Sequence, residues 1–310
     1  LWQKQFLDIS STDLSALGHQ VADAWYENIT GKRGYFQTHL AIVRHKMDQY
    51  NNWTYQLLIS KYDGSNPQLI LSQSEPIITP AFSPDGRSIS YVSYDNSQMK
   101  VYQMDLASAK RYVLADFQGI NSAPTYAPNS KSMVMALTKG AGDQTNLYQL
   151  NMQYGNLIAL TKQGTNTSPS FAPNGKSLAF VSDREGNLQV YAYDFATKSV
   201  HKLSVSGKQN FDPHYVADGQ KIALLHQEAS GSGIVLSLLD LYSGQIEPLS
   251  KSTLDKSLAV APNGQMIAYV TDYKNAGGHL AFVAIDGTMH KKLATQLGTV
   301  QAVAWSGFLT

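Results

Sequence analysis

Cysteine is absent from the 310 residues. Its absence excludes disulfides, thiolate catalysis, iron–sulfur clusters and cysteine-ligated zinc together, and it leaves the redox compartment open. Charge of one sign is scarce as well: 24 Lys and Arg against 23 Asp and Glu give a formal +1. So even a balance sets up no broad field toward nucleic acid or an anionic membrane, and no nucleic-acid partner is expected. Long hydrophobic runs are missing too. None approaches the roughly 18 residues that cross a bilayer, so a membrane-spanning chain is not expected. Residue 1 is leucine, not an initiator methionine, and the expectation is a start inside a longer precursor that carried a signal peptide. What is present is an apolar fraction of 43% with 15% charged, which suits a sizeable core and argues against general disorder.

A repeat dominates the rest. Pro80-Ala-Phe-Ser-Pro-Asp-Gly86 recurs as Pro124-Thr-Tyr-Ala-Pro-Asn-Ser130, Pro169-Ser-Phe-Ala-Pro-Asn-Gly175 and Pro213-His-Tyr-Val-Ala-Asp-Gly219. Leu258-Ala-Val-Ala-Pro-Asn-Gly264 is a worn fifth copy and Val303-Ala-Trp-Ser-Gly307 a truncated sixth. The starts lie 44, 45, 44, 45 and 45 residues apart. Within each period a Pro-Asp-Gly type turn leads to an apolar run such as Leu178-Ala-Phe-Val181. A strand ending in Asp or Asn follows, as in Val190-Tyr-Ala-Tyr-Asp194, and then a short closing strand. Proline fixes φ at the first corner of such a turn and glycine accepts the positive φ after it. The apolar run does not alternate, as befits a strand covered on both faces. Four strands per period of this length is the size of a propeller blade.

The ends supply the count. Leu40-Ala-Ile-Val43, Tyr55-Gln-Leu-Leu-Ile59 and Leu69-Ile-Leu71 form three strands without a leading motif, while Val303-Ala-Trp-Ser306 is a leading strand with nothing after it. Together they complete one blade. The expected fold is all-β, a six-bladed β-propeller of four-stranded blades over residues 35–310, its ring closed by the C-terminal strand. An open β-solenoid is the alternative, and it leaves both end fragments unexplained. Residues 1–34 read as the end of a small α/β domain: a strand over Leu1 to Asp8, then a helix over Thr12 to Thr30. Leu14, Leu17, Val21, Ala24 and Trp25 fall at helical spacing, and Thr12 can cap the start.

The helix ending Ala22-Asp-Ala-Trp-Tyr-Glu-Asn-Ile-Thr-Gly31 leads through Arg33-Gly-Tyr-Phe36 to the hairpin Ser60-Lys-Tyr-Asp-Gly-Ser-Asn-Pro67. The repeats follow, and the chain ends in Ala304-Trp-Ser-Gly-Phe-Leu309. This order resembles the TolB family of periplasmic propellers of the Tol-Pal system over about nine-tenths of the chain. The resemblance implies a monomeric, non-enzymatic scaffold in the periplasm of a Gram-negative bacterium. It implies binding of the lipoprotein Pal at one propeller mouth, and of TolA through an N-terminal segment that these residues do not contain. Support of outer-membrane integrity and of constriction at cell division is implied too, and colicin-type toxins are further implied partners.

The family's Pal contacts fall on loops before the innermost strands. Here those positions are Ile120, Asn121, Ala123, Thr167 and Ser168, and by repeat symmetry Asn210, Asp212 and Asp255 join the same rim. Two depart from the family pattern: histidine is common where this chain has Ile120, and an acidic residue where it has Ser168.

Enzyme readings find less support. The Gly-x-Ser-x-Gly pentapeptide of hydrolases is missing, and Ser230-Gly-Ser-Gly233 reads as a hairpin tip. His39, His45, His214 and His226 are scattered rather than set at zinc-ligand spacing. A calcium site of the lactonase kind would draw oxygens from several blades. Asp212 and Asp255 are its carboxylate candidates, with Asn121, Asn166 and Asn210 as amides. Two alternatives therefore stand beside the scaffold: a small-ligand or glycan-binding propeller, and a calcium-dependent lactonase-like hydrolase.

Overall fold

The computed structural model describes residues 14–47, 50–139, 144–274, 277–293 and 297–308. The strand expected over Leu1 to Asp8 and the cap at Thr12 lie outside these residues. Helix α1 (Leu14–Thr30) comes first, followed by β1 (His39–Met47), β2 (Trp53–Lys61) and β3 (Gln68–Gln73). Next are β4 (Ile77–Phe82), β5 (Ser88–Asp95), β6 (Gln98–Asp105) and β7 (Arg111–Ala115), then β8 (Asn121–Tyr126), β9 (Ser132–Thr138), β10 (Thr145–Asn151) and β11 (Leu157–Ala159). β12 (Asn166–Phe171), β13 (Ser177–Ser182), β14 (Gln189–Asp194) and β15 (Val200–Lys202) precede β16 (Gln209–Tyr215), β17 (Lys221–Gln227), β18 (Val235–Asp240) and β19 (Ile246–Pro248). The chain finishes with β20 (Lys256–Val260), β21 (Met266–Lys274), β22 (Gly277–Ala284), β23 (His290–Lys292) and β24 (Thr299–Trp305).

From β4 to β19 each successive set of four strands is one antiparallel meander. The remaining eight strands form two further ladders, β20 to β23 and β24-β1-β2-β3, linked through the pairing of Gly278 with Val300. β24 comes from the C-terminal end yet pairs with β1, Leu40 facing Trp305 and Ile42 facing Val303. The first strands also meet one another in cyclic order, β4 on β8, β8 on β12, β12 on β16, β16 on β20, β20 on β24 and β24 on β4. This is a β-propeller architecture of four-stranded sheets.

The core lies between neighbouring sheets. Val134 and Leu147 pack with Phe180 and Tyr191 of the next sheet, whose other face sets Ala179 and Val190 against Ile222 and Leu224. Second strands are thus covered on both sides, and Met133 to Leu137 are all 0% exposed. The repeated turns behave as their residues dictate. Ser83 N–H donates to Ser88 O and Gly86 N–H to Ser83 O, both at 2.9 Å, and the pattern recurs from Ala127, Ala172, Val216 and Ala261. Gly86 takes φ 69°, and Ser130 holds the same left-handed position at 59° without being glycine. The outer turns use Asp as a local acceptor: Asp105 takes the Ser108 N–H at 2.8 Å and Asp194 the Thr197 N–H at 2.7 Å. The Ser108 hydroxyl and N–H hold the Asp105 carboxyl below its ordinary range, and the Thr197 N–H and hydroxyl do the same for Asp194.

α1 is fastened to the seam where the two chain ends meet. Asp23 accepts the Phe36 N–H at 2.8 Å and the Gln37 amide at 2.7 Å. Gly34 permits this approach, since a Cβ there would lie 2.7 Å from the Asp23 Cα. Tyr26, Tyr35, Phe36 and Tyr62 form a ring cluster that reaches Trp305, whose indole N–H donates to Thr38 Oγ1 at 2.7 Å. Burial, reinforced by Tyr62, Tyr26 and Asp23, pushes the Tyr35 phenol well above its usual value. Of the residues at helical spacing Ala24 is buried, whereas Val21 and Trp25, with Ile29, are 40%, 61% and 60% exposed. The face toward the propeller is instead polar and aromatic, through His19, Asp23 and Tyr26.

Candidate functional site at the channel mouth

Five first strands, β4, β8, β12, β16 and β20, carry the same kink. Thr79, Ala123, Ser168, Asp212 and Ser257 have φ of 46°, 48°, 49°, 46° and 46°. In each case the ladder slips across that residue, between Ile78 and Ala81 in β4 and between Ser122 and Thr125 in β8, for example. A bulge of this kind leaves backbone outside the ladder, so proline can follow without losing a sheet bond. The kinked residues line a central cavity of about 560 Å³ together with Pro80, Pro124, Pro169, His214, Lys256 and Gln301. Non-glycine residues at positive φ cost of order 1–3 kcal/mol each and persist where the surroundings over-determine them.

Proline follows the kink in four repeats; Leu258 takes its place after Ser257, and Val303 stands at the corresponding position of β24. Those two residues bring N–H groups, and the preceding sheet meets each with a side chain. Leu258 N–H donates to Asp212 Oδ2 at 3.2 Å, and Val303 N–H donates to Ser257 Oγ at 3.1 Å. The other oxygen of Asp212 lies 3.3 Å from His214 Nε2. Asp212 is therefore both a channel-wall residue and an inter-sheet tie.

Two residues before four of the five kinks stand Asn121, Asn166, Asn210 and Asp255, and all four side chains are buried. The Asn121 amide donates to Met99 O of the preceding sheet at 3.0 Å, while its oxygen accepts the Phe117 N–H at 3.0 Å. Asn166 donates to Gly164 O at 2.8 Å and accepts from Arg184 at 3.0 Å. Asn210 donates to Gln189 Oε1 at 2.7 Å, and its oxygen meets His226 Nδ1 at 2.9 Å, the ring being held in turn by Glu228. Asp255 Oδ2 takes the Leu236 N–H at 2.9 Å and the Ser250 hydroxyl, leaving Oδ1 buried without a partner. A loop-end amide reads as solvated rim in one dimension; the adjoining sheet turns it into an inter-sheet clasp.

Of the eight expected contact residues, Ala123, Ser168 and Asp212 come together on the channel wall. Ile120 is 40% exposed on the mouth loop, and Thr167 is half-buried in the β12 ladder. Asn121, Asn210 and Asp255 are spent inside the fold. As cation ligands the candidates are equally committed, and among the described residues no three or more histidines and acids gather as a metal-binding group. Thr79 and Gln301 line the channel without having been singled out, and His214, weighed above only as a zinc ligand, lines it with them. Repeat register finds Thr79, which precedes Pro80 as Ala123 precedes Pro124; nothing local marks the other two.

A family model for the TolB beta propeller domain matches residues 26–309. The chain is 36% identical over 309 residues to the Tol-Pal system protein TolB of Francisella tularensis, covering 97% of this chain and 71% of that protein. Against the Pseudomonas aeruginosa protein of the same name it is 31% identical, covering 97% and 69%. The crystal structure of TolB from Acinetobacter baumannii superposes with a TM-score of 0.87 at 32% identity, covering 97% of this chain and 75% of that one. Fold, repeat and relatives agree, and the chain belongs to the TolB family of Tol-Pal system β-propeller proteins.

Proposed function

We propose that this chain is a non-enzymatic periplasmic scaffold of the Tol-Pal system that grips the folded domain of the lipoprotein Pal at the channel mouth. The observation that carries the reading is family membership over nearly the whole chain, joined to a mouth with exposed side chains such as Ile120. Binding and catalytic residues concentrate on loops held by a rigid scaffold, and the loops before the first strands are such a place. Titration calorimetry with the soluble Pal domain of the same organism tests it, with Ile120→Asp as the weakening variant. The cyclic contact of first strands and the β24–β1 pairing support a ring of six blades closed by the C-terminal strand. The outward stripe of Val21, Trp25 and Ile29 supports α1 as part of a small α/β unit, with residues 35–310 as the propeller. The relatives' printed names support membership of the Tol-Pal system; a role in outer-membrane integrity and in constriction at division, with TolA and colicin-type toxins as further partners, belongs to the same proposal.

One observation favours a second reading. The channel's volume falls within the range of small-molecule pockets, and Asp212, His214 and Lys256 gather polar groups in it. A small-ligand site there is the reading to take up if Pal does not bind.

A further inference from the structure

The mouth positions implied by the family offer little free surface. Asn121, Asn210 and Asp255 are 0%, 0% and 3% exposed, and Ala123, Ser168 and Asp212 lie on the channel wall. A stable interface draws roughly 800 Å² from each partner. Its energy comes mostly from a few anchored side chains, among which Trp and Tyr are enriched. Another part of the same face carries such residues. His45 near the end of β1 stands opposite Thr299, the mouth end of β24, and Met47 stands opposite Trp53 at the start of β2. The β1–β2 hairpin therefore rises on the mouth face beside the channel.

Met47, Tyr50 and Trp53 are 48%, 74% and 45% exposed there. The Trp53 ring is already braced, packing edge-on against His45 with centroids 4.4 Å apart. His45 is 4% exposed and accepts a hydrogen bond at Nδ1 from the amide of Gln301 in β24, a channel-lining residue. Burial lowers the His45 pKa, so the ring serves as a neutral support. A large aromatic held in place before binding loses little freedom on association. The brace also makes the hairpin continuous with the channel wall.

We propose that the β1–β2 hairpin is a second contact site on the mouth face, with Trp53 as its anchor and Met47 and Tyr50 beside it, engaging the same Pal domain that covers the channel mouth. The inference rests on the Pal reading. It adds apolar, aromatic area where the mouth loops are buried or recessed.

Calorimetric titration with the soluble Pal domain tests it on this chain and on Trp53→Ala, Tyr50→Ser and Tyr154→Ala. Trp53→Ala is expected to raise Kd by about tenfold or more, in keeping with an aromatic hot spot. Tyr50→Ser, an exposed change that the fold tolerates, is expected to raise it by roughly threefold. Tyr154, 74% exposed on the turn after β10 at the opposite face, is the control and leaves Kd unchanged. Wild-type binding with both hairpin variants within about twofold of it overturns the hairpin site and leaves the Pal reading standing. No wild-type binding, with both proteins folded, removes the Pal reading and the hairpin site with it.

Discussion

Asn121 and Ile120 are neighbours in sequence and differ in what holds them. Asn121 is fully buried with its amide bonded across to Met99 and its oxygen to Phe117, while Ile120 keeps 40% of its surface in solvent. Removing a buried side chain that satisfies several backbone groups leaves each of them desolvated, at about 1–3 kcal/mol apiece. Asn121→Ala is therefore expected to lower stability by about 3 kcal/mol in chemical denaturation, and Ile120→Ala by less than about 1 kcal/mol. Equal losses from the two would contradict the clasp. Their adjacency also shows where sequence reading stops. Position beside a turn is written locally; burial depends on how the neighbouring sheet docks, which no spacing encodes.

First strands and turns are the elements most plainly legible, because their signals are short-range. Proline and glycine fix the turn after each first strand, and a run such as Met133 to Leu137 declares burial on both faces. The seam between β16 and β20 was not legible, since Asp212 and Leu258 lie far apart in the chain. Four seams need no acceptor because proline has no N–H. At Leu258 an N–H exists and Asp212 receives it. Asp212→Ala is expected to cost about 1–2 kcal/mol by leaving that donor unpaired. Adding Leu258→Pro, the residue the other repeats use, is expected to recover part of the loss. Thermal melts of the single and double variants measure this. A double variant no more stable than Asp212→Ala alone contradicts the seam account, and so does an Asp212→Ala variant as stable as the parent.

At the scale of the whole molecule the chain ends meet in one ladder. β24 pairs with β1, touches both β20 and β4, and delivers Trp305 to the aromatic cluster that fastens α1. Truncation before Thr299 is expected to leave strand edges exposed, and exposed edges pair with other chains. Light scattering and a melt of the truncated chain check it. A truncated chain that stays monomeric and melts like the parent contradicts closure by β24. Repetition of the four-stranded sheet also explains why the fold reads so fully while the site does not. Residues that recur serve the packing of the sheets, whereas Trp53, which the binding proposal invokes, belongs to no repeated motif. The central claim is that the mouth of this ring holds Pal, and the most direct measurement is calorimetric titration of the chain with its own organism's Pal domain. Binding at about micromolar Kd or tighter, equivalent to roughly −8 kcal/mol, that weakens on Ile120→Asp is the predicted result. No heat of binding from two folded proteins, or an affinity unmoved by Ile120→Asp, contradicts it.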